Sequence, residues 1–211
     1  MIKIIAIERE FGCGANLIAD KLAAHLGWKL LDQSLTEEIA RLAQVTPAAV
    51  EKCDGRLDSW VYRLGRVFWR GSYERSLPVS GQETFDADRL VALVKQIVDE
   101  AAAAGHCVIV GRGSPYFLRD RTDTLRLFLY APRPHKFKIV MAHANNDEAK
   151  ANELLDSIDR DRKEFVKHYF GMEWPHRLLY HAMFNAAMGD EITLQAILNL
   201  MDALNKKEGP P

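Results

Sequence analysis

Paired cysteines are missing from this chain. Its three cysteines, Cys13, Cys53 and Cys107, stand at no spacing that suits a disulfide framework or a metal knuckle, and they predict a reducing compartment. Long apolar runs are missing too, so no segment reads as a membrane span. The apolar run near the N-terminus is too short for a secretory leader and Glu8 interrupts it, so the sequence reads as a cytoplasmic protein without a membrane partner. An excess of charge is absent as well. With 28 Lys and Arg against 29 Asp and Glu, no global field draws the protein to nucleic acid, and any anion site has to be local. His25, His106, His135, His143, His168, His176 and His181 show no metal spacing, and no Ser–His–Asp set can be assembled, so no metal site is expected. There is no internal repeat, low-complexity tract or linker. At 211 residues, 48% hydrophobic and 27% charged, the chain is expected to form one domain with a sizeable core.

What is present begins with Ile2 to Leu26. Ile4-Ile5-Ala6-Ile7 suits a strand covered on both faces. A loop with Gly12 and Gly14 follows, then a helix with Ile18, Leu22 and Leu26 at fourfold spacing and a stop at Gly27. Strand, glycine loop and helix together aim backbone N–H groups at a phosphate. Further strands are predicted at Trp28–Leu31, Cys107–Val110, Leu125–Tyr130 and His181–Asn185. Helices are predicted from about Leu35 to Gln44, after Thr46-Pro47, after a cap at Thr84 or Asp86 with an inner stripe Leu90, Val94, Ile97 and Ala101, from Pro134 to His143, from Asp147 to Tyr169, and around Leu194 to Leu204. Ser114-Pro115 reads as a cap and first turn, and Lys206 to Pro211 as a frayed tail. Apolar strands alternating with helices predict an α/β three-layer sandwich around a parallel sheet, with ligands at the carboxyl ends of its strands.

Two readings stay open at the first loop. Against G-x-x-x-x-G-K-[ST], Gly14 takes the second glycine, Arg9 the first, Ala15 the lysine and Asn16 the magnesium-binding hydroxyl. The N–H cradle survives these changes, the lysine charge does not, and the plain alternative is a tight turn without a ligand. Dinucleotide binding is a rival: Gly12-x-Gly14 opens a G-x-G-x-x-G and Asp32 lies about 20 residues on. Leu17, however, replaces its third glycine. Gly111-Arg112-Gly113, at the tip of a buried strand, is either a phosphate fork or a turn with a solvated arginine. Arg162 interrupts an apolar stripe of Leu154, Ile158, Phe165 and Tyr169, so it either faces a site or pairs with a core carboxylate. Arg160, Lys163 and Lys167 lie on the other face, where Asp156 and Asp159 would give solvated ion pairs. Between Arg56 and Arg75 arginines interleave with aromatics, which suits either base stacking in a substrate-side insertion or an amphipathic cover.

Taken together, IAIEREFGCGANLIA (Ile5–Ala19), GWKLLDQSL (Gly27–Leu35), VIVGRGSPYFL (Val108–Leu118) and LFLYAP (Leu127–Pro132) resemble the cytidylate kinase-like proteins, a branch of the nucleoside monophosphate kinases in the P-loop fold. Asp159 to Gly171 resembles the family's basic lid segment. The resemblance implies a single domain with five parallel strands, an insertion at about 45–85 and a lid at about 145–175. It also implies transfer of the ATP γ-phosphoryl group to a nucleoside monophosphate, CMP first, with Mg2+. By position it places Arg9, Gly12, Cys13, Gly14, Ala15 and Asn16 at ATP, and Asp32, Arg63 and Arg112 at the acceptor. Arg160, Arg162 and Lys136 are its catalytic cations, since phosphoryl transfer needs positioned positive charge more than covalent chemistry. The chain departs from the pattern at Glu8 (serine in the family), at Asn16 (arginine) and at Lys136 and Ile139 (arginines). Two hypotheses follow: a phosphotransferase, or a nucleotide-binding regulator on the same scaffold. The expected partners are small nucleotides, not nucleic acid, and a homo-oligomer is compatible with the sequence.

Overall fold

Every residue of Ile4–Arg9 is buried, and this strand, β1, is the centre of the sheet. The computed structural model describes residues 1–31, 87–144 and 146–207. Around β1 stand β2 (Lys29–Leu31), β3 (Cys107–Val110), β4 (Thr124–Tyr130) and β5 (Ala182–Asn185). Their order is β2-β3-β1-β4-β5, all parallel, as the strand–helix alternation predicts. Ile4 stands beside Cys107 on one side and Thr124 on the other. β3 therefore takes the place beside β1 that β2 holds in the dinucleotide-binding order, which speaks against the dinucleotide-binding reading.

The pleat sorts β1 between two cores. Ile5 and Ile7 join Val108, Val110, Leu125 and Leu127 under α1 (Ala15–Leu26) and α6 (Asp190–Lys207). Ile4 and Ala6 join Ile109 and Phe128 on the opposite face, under α2 (Ala87–Ala104), α3 (Ser114–Phe117) and the end of α5 (Glu148–Phe170). This is the three-layer sandwich. A third cluster lies beyond β1, where Phe11 packs with Val140 and Ala144 from α4 (Arg133–His143) and its C-cap, and with Leu154, Leu155 and Ile158 of α5. Among the described residues no helix is long and apolar enough to cross a membrane.

Local signals are mostly met. Gly27 ends α1 at φ 65, and Asp147 caps α5 by accepting from the Lys150 amide at 3.0 Å. Three expectations shift. Gly113, not Ser114, caps α3, because the cap adopts φ 67, which glycine enters without a Cβ penalty. The stripe of α2 runs through Val91, Val94, Val98 and Ala102, with Ile97 and Ala101 only partly buried, so the helix is turned from the expected face. Lys206 and Lys207 belong to α6 rather than to a frayed tail. The expected helices after Leu35 and Thr46, the Thr84 or Asp86 cap, the Arg56–Arg75 segment with Arg63, Cys53 and Asp32 all lie outside the described residues, as do the side chain of Leu90 and residues 208–211.

His181, at the foot of β5, accepts the Arg126 amide on Nδ1 at 2.9 Å and returns its own N–H to the Arg126 carbonyl at 2.8 Å. Burial, and then the Arg126 guanidinium, push the imidazole below its ordinary 6.5. The unfolded chain thus takes up this proton first, so the stability linked to it is full above about pH 6.5 and is lost as pH falls through that value. His181→Gln should make the urea midpoint fall less between about pH 7.5 and pH 5.5 than it does in the wild type.

Candidate functional site at the carboxyl edge of the sheet

The chain crosses from β3 over β1 to β4, so the crevice beyond the carboxyl end of β1 is a topological switch point. Three segments meet there: the loop after β1, the Gly111–Gly113 turn after β3, and the α4–α5 hairpin. The loop is moored to β4 by the Glu10 amide, which donates to the Leu129 carbonyl at 2.9 Å. Gly12 has φ +75, and a Cβ there would stand 2.6 Å from Val140 Cγ2 and 3.3 Å from the Lys136 carbonyl oxygen. Only glycine lets the loop run this close beneath α4. Gly14 then caps α1 at φ 86 and brings no side-chain acceptor to the first turn of the helix. That leaves the helix N-terminus to whatever anion approaches it.

Arg9 is 4% exposed and Arg162 is 3% exposed, so both guanidinium groups are inside the protein. Arg9 reaches across to β3, where its Nη1 lies 1.9 Å from the place a Gly111 Cβ would take. The same atom is 3.6 Å from Glu8 Oε1, while Nη2 is buried without an acceptor among the described residues. Arg162 donates from Nη1 to the Arg9 carbonyl at 2.8 Å and to Asp159 Oδ1 at 3.0 Å. Burial, and then the neighbouring Arg9 charge, push Arg162 below the ordinary guanidinium value. Asp159 Oδ1 also accepts the Phe11 amide at 2.8 Å. Lys136 donates to Glu10 Oε2 at 2.7 Å and stands 3.7 Å from Asp159 Oδ2. Burial pushes the Asp159 carboxyl up, against the pull of Arg162, the Phe11 amide and Lys136.

Cys13, in the middle of the loop, is buried, and burial pushes its thiol up to about 11 despite Arg9 and Arg162 nearby. It is a neutral packing group, not a nucleophile. On the other face of β1, the Tyr116 and Tyr180 hydroxyls meet at 3.2 Å. Burial raises both phenols, and the Glu8 charge adds to the shift in each.

The structure brings Arg9, Gly12, Cys13, Gly14, Lys136 and Arg162 around the loop. Ala15 is buried and Asn16 exposed in the first turn of α1. Arg112 is 3% exposed at φ 60, next to the glycine that Arg9 covers. Arg160 stands apart: it is exposed, on the side of α5 where Asp156 pairs with Arg133. Asp159 is not the solvated partner of Lys163 that fourfold spacing suggests; the Phe11 amide and Arg162 draw it inward. The roles of Glu8, Glu10 and Asp159 were missed by sequence reasoning. The one available signal was Asp159 three residues before a stripe arginine.

The fold has well-matched relatives among solved structures. A protein of uncharacterized function from Eubacterium ventriosum ATCC 27560 superposes with a TM-score of 0.68 at 21% identity, covering 96% of this chain and 99% of that one. Shikimate kinase from Acinetobacter baumannii, in complex with shikimate, gives 0.56 at 17% identity, covering 99% and 97%. Shikimate kinase from Bacteroides thetaiotaomicron gives 0.58 at 15% identity, covering 96% and 99%. At these identities the likeness establishes a P-loop kinase fold and not a substrate. No curated protein matches the sequence. The model of the cytidylate kinase-like family matches residues 4–187, and the chain, whose strand–loop–helix and Gly-Arg-Gly turn lie inside that span, belongs to this family.

Proposed function

We propose that the protein transfers the γ-phosphoryl group of ATP to a nucleoside monophosphate, with CMP as the first candidate acceptor. What supports this most is a single observation: Arg9 Nη2 is buried at the switch point without an acceptor among the described residues, beside a glycine loop that caps α1 with no side chain. An orphaned buried donor of this kind suits an incoming anion. The residues that would hold the phosphates of ATP are Arg9 and the loop from Gly12 to Asn16. ATP supplies the transferable phosphoryl group. Mg2+ would travel on those phosphates, a mode in which the ion keeps its waters and takes few protein ligands. Among the described residues no group of three or more His, Cys, Asp or Glu is arranged to hold a metal ion by itself.

On this reading Arg162 and Lys136 neutralise charge at the transferring group. Arg112 and, from the segment outside the described residues, Asp32 and Arg63 hold the acceptor. Arg160, on the outer face of α5, contributes only if the hairpin turns it inward. The experiment is a panel of common nucleoside monophosphates with ATP and Mg2+, scored for ADP formation in a coupled assay. CMP-dependent ADP formation is expected, and no turnover with any of them overturns the proposal. A second reading, a nucleotide-binding regulator without turnover, draws on the ion pairs already in place: Lys136 is taken by Glu10 and Arg162 by Asp159. Its signature is a rise in melting temperature with nucleotide and no ADP formed.

A further inference from the structure

We infer that Asp159 is a built-in substitute for a phosphate: its carboxylate closes the anion cradle in the free protein and must leave when a polyphosphate enters. The inference rests on the reading of this site as a phosphate site. Its first support is the donor set. Asp159 Oδ1 takes one loop amide, from Phe11 at 2.8 Å, and one guanidinium nitrogen, from Arg162 at 3.0 Å. Oδ2 lies 3.7 Å from the Lys136 ammonium. A loop N–H, an arginine and a lysine are what a phosphate oxygen takes in a glycine-loop site.

The second support is that the carboxylate does not use up the donors it sits among. Arg9 Nη2 is buried without an acceptor among the described residues, and the Arg9 charge acts on Arg162, the cation that Asp159 holds. Two oxygens on a short side chain cannot reach every donor of a site shaped for more. A pyrophosphate unit carries more oxygens and more charge, so it would satisfy Arg9 as well and outcompete the carboxylate.

The third support is electrostatic. Arg9 and Arg162 are both buried and Arg9 acts on Arg162, so with Asp159 withdrawn the cradle would hold two cations in a poor dielectric against the one buried carboxylate of Glu8. Asp159 makes the free state tolerable, and its own carboxyl is pushed up by burial in doing so. The side chain is 14% exposed, so a route to solvent is open. The stretch of α5 that delivers it packs on the loop through Leu154, Leu155 and Ile158 against Phe11, in a cluster apart from the two sheet cores, although the end of the helix enters one of them.

The test uses the full chain with inorganic pyrophosphate as probe. Titration calorimetry on Asp159→Asn should show binding tighter than wild type by about ten-fold or more, which is about 1.4 kcal/mol. In the wild type, the carboxyl carbon resonance of Asp159 and the Phe11 amide should move together as pyrophosphate saturates. That second measurement decides the matter alone if Asp159→Asn does not fold. A variant that binds no tighter, or an Asp159 resonance that stays put at saturation, overturns the inference; Asp159 is then a fixed strut and the phosphate-site reading survives. Pyrophosphate that binds neither protein overturns that reading, and the inference with it.

Discussion

Arg162→Met should cost the folded protein about 3–5 kcal/mol, far beyond the 1 kcal/mol or less, roughly, of a solvated lid cation. Arg162 is 3% exposed, and among the described residues its removal leaves the largely buried Asp159 carboxylate with the Phe11 amide and a lysine at 3.7 Å. Guanidinium chloride unfolding of wild type, Arg162→Met and Arg162→Lys measures the cost, and lysine should recover part of it by keeping a charge. The penalty also has a pH sign. Burial already raises the Asp159 carboxyl, and losing Arg162 takes away the largest opposing influence. A carboxyl raised in the native state binds its proton more tightly there than in the unfolded chain, so the native state is favoured at low pH and loses that advantage as pH rises. The deficit of Arg162→Met should therefore widen from acid toward neutral pH. The proposed ADP formation should fall with it, but in the double variant Arg162→Met/Asp159→Asn stability should partly return while that activity does not.

Gly12→Ala should be nearly as damaging, for a steric reason. The residue sits at φ +75, where a Cβ costs about 1–3 kcal/mol. The added methyl would meet Val140 Cγ2 at 2.6 Å and the backbone oxygen of Lys136 at 3.3 Å, and overpacking adds about 1–3 kcal/mol. Gly27→Ala isolates the first part, since φ there is +65 and nothing lies within 4 Å of the new atom. The difference between the two melting temperatures then reports the contact between the loop and α4. Should the two variants prove equally stable, α4 does not press on the loop.

Much of this architecture is visible in the letters because it is written locally. Ile4 to Ile7 and Cys107 to Val110 are unbroken apolar runs, and both are buried strands beside one another. Arg162 is legible as an exception in a stripe of Leu154, Ile158 and Phe165, and it is found paired with the carboxylate of Asp159 three residues before it. Asp159 was illegible because its amide partner, Phe11, is 148 residues away, and no local rule ranks that contact above a lysine one turn on. The cap of α3 fell to glycine over serine for a similar reason: the turn needs a positive φ at residue 113, set by how β3 meets the helix and not by the serine's hydroxyl. Glu10 matters for how it answers Lys136, 126 residues further on, a contact that only the meeting of the loop with α4 brings about.

Arg9 resting on the bare backbone of Gly111 ties the fortunes of two strands together. A lineage that acquires any side chain at 111 has to give up the long cation at 9 or reroute it, whereas losing the arginine first sets the glycine free to change. The two letters are therefore expected to be inherited as a pair, and a single look at one of them in a related sequence forecasts the other.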